Sequence, residues 1–386
     1  TYSEYDAAKE LSLEEAEEDV NYLFDAFYYD FAFYDYFGGH TVFDQAKAEI
    51  LQELQAKDSL TCKDLQEVLV KHLTFIKDGH FNINHNFPAE KEIPFFFRQV
   101  MFVKTDSGYQ NSKGKTVVSV DGHPDLDTLF KRSISQEGYL VYYPVLLKEA
   151  KFDGTEWDKH VCDEQLTVHY ADGSTDVLTA DTWSQYYKDL PKGQNTDLRQ
   201  TDGIPVFQFN HFDPSFLEET NDAAAQMSNA GVSMLDLRSN VGGYEEVAHQ
   251  WINRYSRQRV LGNGVRYSVL SASPSAQKAS RANNDNILIL LSGKCSASSA
   301  EITLDLSYNV ENSLIVGENT NGSMISNSGH IELPNSKCSV DMTFSTVYLT
   351  PDGSDYFEEL RGFFPDIWVP AGEAETLAAK LMENLK

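Results

Sequence analysis

Asn286-Ile287-Leu288-Ile289-Leu290-Leu291-Ser292-Gly293-Lys294-Cys295-Ser296-Ala297-Ser298-Ser299-Ala300-Glu301-Ile302 decides how the second half of this chain is read. An apolar run from Ile287 to Leu291 stops at a small-residue turn carrying three serines. An amphipathic helical pattern follows at once in Ala300, Ile302, Leu304 and Leu306. Strand, tight turn and helix are therefore expected. A hydroxyl at such a junction stands at the carboxyl end of a strand, where the first N–H groups of the helix lack internal partners and point at whatever binds. A serine there can be a nucleophile, but Ser296 or Ser298 can equally be a plain helix N-cap.

Working outward, strands are expected over 204–212 and 232–237 and helices over 214–230 and 244–255. A strand at 314–316 and a β-rich tail over 330–348 follow, so strand and helix alternate as in a layered α/β domain. Between the second strand and its helix lies Arg238-Ser239-Asn240-Val241-Gly242-Gly243. Its paired glycines let a backbone approach a ligand closely, or simply make a tight turn. Upstream, residues 93–185 read as β-rich, with strands over 95–103, 116–120 and 166–170, turns at Asp121-Gly122 and Asp172-Gly173, and one helix over 126–133. Residues 186–203, with Pro191 and Gly193, read as a linker. Near the start, the capping box Ser12-x-x-Glu15 opens one long aromatic helix over 12–37. Two further helices carry Phe43 to Leu54 and, after Thr61-x-x-Asp64, Leu65 to Ile76. Glycine then breaks the pattern in Asp78-Gly79-His80. Three segments are expected: an N-terminal helical domain (1–85), a β-rich domain (90–185) and an α/β core (200–386).

Composition narrows the function. At 386 residues the chain exceeds one ordinary core. Its 59 Asp and Glu against 31 Lys and Arg give a formal charge of -28. No basic surface is available for phosphates or anionic lipid, so nucleic acid and membrane-surface partners are disfavoured. No apolar stretch approaches the roughly 20 residues of a membrane helix. Cys62, Cys162, Cys295 and Cys338 form no Cys-x-x-Cys pair, and neither a metal set nor a phosphate loop is present, so no cofactor is expected. A chain that begins with Thr1 reads as one whose leader was removed, and export to the periplasm or beyond the cell is expected.

Asp78-Gly79-His80, Leu235-Asp236-Leu237-Arg238-Ser239-Asn240-Val241-Gly242-Gly243 and Ser296-Ala297-Ser298-Ser299-Ala300-Glu301, in that order, resemble the motifs of the C-terminal-processing (tail-specific) serine proteases and their tricorn-like relatives. Gly317-Glu318-Asn319-Thr320-Asn321-Gly322 and Glu359-Leu360-Arg361-Gly362-Phe363-Phe364-Pro365-Asp366 resemble two further segments of that family. Such ordering over roughly residues 70–370 is more specific than any one motif. The resemblance implies a crotonase-like, Clp-protease-like layered core and a PDZ-like domain over the β-rich segment, where 117–122 is similar to a PDZ strand and turn. It implies a serine endopeptidase acting on extended or unfolded polypeptides, with Ser298 as nucleophile. The better-known branch carries a lysine base at the position of Ser323, so a Ser/Lys dyad is not expected. Lys294 precedes the turn and would need strong burial to be neutral.

The tricorn-like branch implies His80 as general base and Glu359 as the carboxylate that orients it, with Glu358 as rival. Imidazole titrates in the range needed to take a serine proton, and a carboxylate fixes its tautomer and stabilises the imidazolium. Relatives with Ser-His have Gly79 here, which leaves an assisting serine open. Backbone N–H groups of Gly242, Gly243 and Ser299 are the expected oxyanion donors. Val241 stands where proline is common. Asp78, Asn240 and Glu301 either brace these turns or touch substrate, and Cys295 reads as buried filler. The alternatives are a catalytically silent peptide- or ligand-binding protein on the same scaffold, or acyl-CoA chemistry of the crotonase type. The state of assembly is not encoded in these patterns.

Overall fold

The computed structural model describes residues 5–150, 164–181, 190, 194–262, 265–268, 271–276, 280–282, 284–324, 326–349 and 357–386. Cys162 and the linker residues 186–188, 191 and 193 lie outside them. The chain is a mixed α/β fold with several sheets. Among the described residues no helix is long and apolar enough to cross a membrane.

Helices α1 (Leu13–Asp30), α2 (Gly39–Gln55) and α3 (Cys62–His72) open the chain. Both capping boxes form: the Glu15 amide donates to Ser12 Oγ (3.2 Å) and the Asp64 amide to Thr61 Oγ1 (3.2 Å). The helix expected over 12–37 ends at Asp30, and Phe31 is extended. Ending there lets the Ala32 amide donate to the Thr343 carbonyl (2.8 Å) and turns Phe31 and Phe33 into the same aromatic core as Phe27 and Phe43. Burying such a side chain is worth roughly 1.5–3 kcal/mol, more than one further helical turn. Phe81, buried in this cluster 5.8 Å from the Phe27 ring, anchors the segment that carries His80.

The β-rich segment builds two sheets. In one, β1 (Lys91–Phe96) pairs with β6 (Leu140–Ala150), which also takes β2 (Phe102–Thr105), extended by β3 (Gly108–Asn111), and β5 (Phe130–Ile134). In the other, β4 (Val117–Val120) pairs with β7 (Gln165–Tyr170) and β7 with β8 (Thr175–Thr179). The helix expected over 126–133 is one turn only, α4 (Leu126–Leu129), capped by Asp125. Phe130 onward is strand, because pairing with β6 overrides a weak local helical preference.

In the core, β9 (Thr196–Thr201), β10 (Ile204–Phe209), β11 (Val232–Asp236), β12 (Ile287–Ser292), β13 (Ser313–Gly317) and β16 (Ile367–Trp368) lie side by side in that order. The pair β9 and β10 is antiparallel and the rest parallel. Residues 196–201, read as linker, are thus an edge strand: their polar side chains suit an edge, and Arg199 ties them to Glu375 (2.6 Å). Helices α5 (Leu217–Met227), α6 (Glu245–Ser256), α7 (Ser299–Ser307) and α8 (Ala374–Asn384) accompany the sheet. Every residue of α7 is buried, although its pattern reads as amphipathic, because it packs on α6 and also against the strand Gly362–Phe363. A second sheet contains β14 (Ser326–Glu332) and β15 (Ser339–Leu349), and Asn82–Ile83 pairs with β15. That pairing fastens the His80 segment to the core.

Candidate active site

β11 and β12 are parallel neighbours in register Asp236 to Leu291, so the turns that follow them, 237–244 and 293–298, emerge side by side at the carboxyl end of the sheet. Ligands bind in this location in open α/β sheets. Ser298 closes the second turn with φ 54 and ψ −118, a conformation costly for a residue with a side chain. Two bonds hold it there. The Ser298 amide donates to Glu301 Oε2 (3.0 Å), and the Ala297 amide donates to the Asn240 carbonyl of the neighbouring turn (3.0 Å). Ser296 Oγ, by contrast, is buried and donates to the Leu237 carbonyl (2.8 Å), so of the first two serines it is the structural one.

Gly242, with φ 102, lies against Ser298: a methyl group on it would stand 2.7 Å from Ser298 Cβ and 3.2 Å from its Oγ. Only glycine meets both requirements. Its amide is held by Asn240 Oδ1 (2.8 Å), while Asn240 Nδ2 donates to the Phe209 carbonyl (2.6 Å), so Asn240 braces the turn. The Gly243 carbonyl accepts from Ser299 Oγ (2.7 Å), coupling the two turns again. The Val241 amide donates to the Asn210 carbonyl (3.2 Å), a bond that proline could not make. Below the turn, Arg238 donates to both oxygens of buried Asp236 (2.8 and 2.6 Å), to Glu375 (2.8 Å) and to the Ala371 carbonyl (2.9 Å). Burial pushes Asp236 up, but Arg238 and Arg199 more than reverse this and hold its carboxyl below the usual range.

The histidine turn arrives from the helical segment. Asp78 is buried, accepts from the His80 amide (2.9 Å) and from Thr343 Oγ1 (3.1 Å), and stands 4.0 Å from His80 Nδ1. Asp78 therefore shapes the turn. Burial lowers the His80 pKa, and the Lys91 charge adds to this against Asp78 and Asp341. Glu359 meets the same turn: its Oε1 accepts from the Gly79 amide (2.8 Å) and its Oε2 from the Met324 amide (3.2 Å). Burial first, then Asp78 and Glu301, push its carboxyl well up. Glu358 instead is exposed and accepts from Arg361 (2.6 Å), so the carboxylate that faces the histidine turn is Glu359. Gly79 is imposed by space, since a side chain would collide with the Ser323 hydroxyl and the Gly322 carbonyl. Ser323 Oγ occupies the space a side chain at position 79 would need and donates to the Gly79 carbonyl (3.1 Å).

Glu301 joins these parts. Buried without exposure, its carboxylate accepts from the amides of Ser298 (3.0 Å), Gly322 (2.7 Å) and Ser323 (2.8 Å) and from Thr320 Oγ1 (2.5 Å). Burial raises its pKa against donors that favour the anion. One group escaped the sequence reading altogether: Lys91, at the head of a strand, is buried and donates to Ser323 Oγ (2.9 Å), the Gly79 carbonyl (3.3 Å) and Asn321 Oδ1. An ammonium therefore lies against Ser323 although residue 323 itself is no lysine. Nothing in the run Lys91-Glu92-Ile93-Pro94-Phe95 signals this, because a lysine flanking an apolar strand ordinarily points to water. Lys294 is fully buried and donates to the Thr320 carbonyl (2.6 Å), and desolvation brings its pKa to about 7. Burial pushes the Cys295 thiol up to about 12, as befits filler.

Residues 204–369 match peptidase family S41. Among solved structures, mature CPAF complexed with lactacystin is similar at 13% identity and a TM-score of 0.51, covering 96% of this chain and 98% of that one. Mature CPAF alone gives 13% identity and 0.51 over 97% and 96%. A photosystem II D1 C-terminal processing protease follows at 14% identity and 0.44, over 95% and 98%. At such identities the likeness to the two CPAF structures speaks to fold alone. No curated protein matches the sequence.

Proposed function

We propose that residues 204–369, which match peptidase family S41, form the core of a serine-type peptidase acting on polypeptides, and that the chain hydrolyses peptide bonds through an acyl-enzyme on Ser298. The observation that carries the reading is the Ser298 turn itself: a strained serine at the mouth of a strand-to-helix junction, with Gly242 against its side chain and Glu301 on its amide. His80, kept neutral by burial, accepts the hydroxyl proton as Ser298 Oγ attacks the scissile carbonyl. It then returns that proton to the leaving amine, and a water molecule repeats the sequence to release the acyl group. Glu359 orients the histidine turn.

Developing negative charge on the carbonyl oxygen meets backbone N–H groups, each worth roughly a hundredfold in rate. The Ser299 amide, at the first position of α7, and the Gly243 amide fill this role directly. The Gly242 amide, expected as a third donor, is already taken by Asn240 Oδ1 (2.8 Å) and is the weaker candidate. The layered sheet supports a crotonase-like core. Strand β4 with its Asp121-Gly122 turn supports a PDZ-like reading of the β-rich segment, which would take the end of an extended chain by strand addition. A fluorophosphonate probe followed by peptide mapping tests the proposal. Ser298 takes the label, and Ser298→Ala and His80→Ala abolish both labelling and turnover. Labelling elsewhere, or normal turnover in either variant, sinks it, whereas neither labelling nor turnover in the parent chain makes a silent binding protein the better reading.

A further inference from the structure

Lys91 takes no part in the proton transfers above, yet its ammonium is buried among them. It opens β1, the strand next to β6 in the β-rich segment, and none of its acceptors belongs to that segment. Gly79 is part of the histidine turn, whereas Asn321 and Ser323 belong to the core loop after β13. The Phe87 ring covers the ammonium at 5.0 Å. The strand head, the histidine turn 12 residues before it and a core loop 232 residues beyond it thus converge on one nitrogen. Burying an ammonium is costly unless its donors are satisfied and anions stand near, and here all three protons have acceptors.

We propose that Lys91 is a positioning residue for His80: its ammonium clamps the Gly79 carbonyl to the loop carrying Asn321 and Ser323, and so fixes the imidazole turn on the core. The clamp rests on the acyl-enzyme reading and adds a condition to it, namely that the β-rich segment must be seated for the histidine to be in place. The charges around Lys91 make the role measurable. Glu359, Glu301 and Asp78 face it and favour its ammonium form, whereas desolvation, the largest influence, brings its pKa down to about 8. In return its charge holds the pKa values of His80, Glu359 and Lys294 down.

The test compares Lys91→Met and Lys91→Arg with the full chain, using kcat, KM and the pH dependence of peptide hydrolysis, with circular dichroism as the control for folding. In the parent chain activity declines as pH rises through about 8, where the clamp loses its proton. In Lys91→Met kcat falls about a hundredfold with KM within about twofold, as expected for a misplaced group and not for lost binding. Its alkaline decline disappears, and its acid limb moves up because His80 no longer faces a cation. Lys91→Arg keeps the acid limb of the parent. Should Lys91→Met fail to fold, Asn321→Ala and Ser323→Ala each remove one acceptor and lower kcat about tenfold. A folded Lys91→Met with parental kcat and parental pH limits overturns the clamp, as do Asn321→Ala and Ser323→Ala with parental kcat. Probe labelling of Ser298 in the parent chain separates the two ideas: without it the acyl-enzyme reading fails, and with it an unaffected Lys91→Met refutes the clamp alone.

Discussion

Arg238→Met removes a guanidinium from the base of the glycine turn while keeping most of its stem. The change takes from Asp236 and Glu375 the three side-chain bonds they accept from Arg238 and leaves them Arg199 as cation, with Thr201 Oγ1 still on Glu375 (2.6 Å) and the residue-238 amide on Asp236 (3.2 Å). Stripping one partner from a buried ion pair costs about 3–5 kcal/mol. Because Arg199 stays bonded to both carboxylates, the lower end, about 3 kcal/mol, is expected. An unfolding entropy of about 2.1 cal/mol/K per residue converts this into a fall in Tm of about 4 °C for a chain of this length. Scanning calorimetry measures it directly. The sign of the pH effect follows from Asp236 and Glu375, whose folded carboxyls lie below the usual range. Their pairing stabilises above the unfolded value of about 4 and is lost as pH falls through the folded value. The gap between variant and parent is therefore widest at pH 7 and narrows toward pH 3. Adding Asp236→Leu recovers at least half of the loss. A variant that melts within about 1 °C of the parent at pH 7, or a gap that does not change with pH, refutes the reasoning.

Four other outcomes are expected. Gly242→Ala, which forces a methyl 2.7 Å from Ser298 Cβ at φ 102, lowers kcat/KM at least about a hundredfold in a peptide assay. Asp19→Ala strips the buried carboxylate that accepts from the amides of Asn335 (2.7 Å) and Ser336 (2.8 Å), and a urea titration registers a loss of about 1–3 kcal/mol. Burial raises the thiols of Cys62, Cys295 and Cys338, so the native protein at pH 8 resists iodoacetamide at all three until denatured, as mass spectrometry reports. Because burial depresses His80, the acid limb of kcat/KM lies below the ordinary imidazole value of about 6.5, and activity is lost only as pH falls through that folded value.

The core was legible because its signals are local. An apolar run, a glycine pair or a capping box names its own strand, turn or helix, and β11, β12 and α7 came out close to their expected bounds. Elements set by distant contacts were not legible: α1 stops early because Ala32 is captured by Thr343, and the expected helix after Leu126 becomes strand through pairing with β6. The candidate site divides in the same way. Ser298 and Gly242 belong to turns that the chain spells out, and Glu359 rather than Glu358 turns inward to the histidine turn. Lys91 and Ser323 act through space, across 232 residues, and no pattern in either neighbourhood announces the bond between them.

The bond between the Gly79 amide and Glu359 closes a loop of 280 residues. On a ribosome this has a consequence for biogenesis. The serine turn leaves the tunnel well before residue 359, at a time when the histidine turn has no carboxylate to receive it. On the proposed roles, a chain that stops before residue 359 lacks the carboxylate that receives the histidine turn and does not cut.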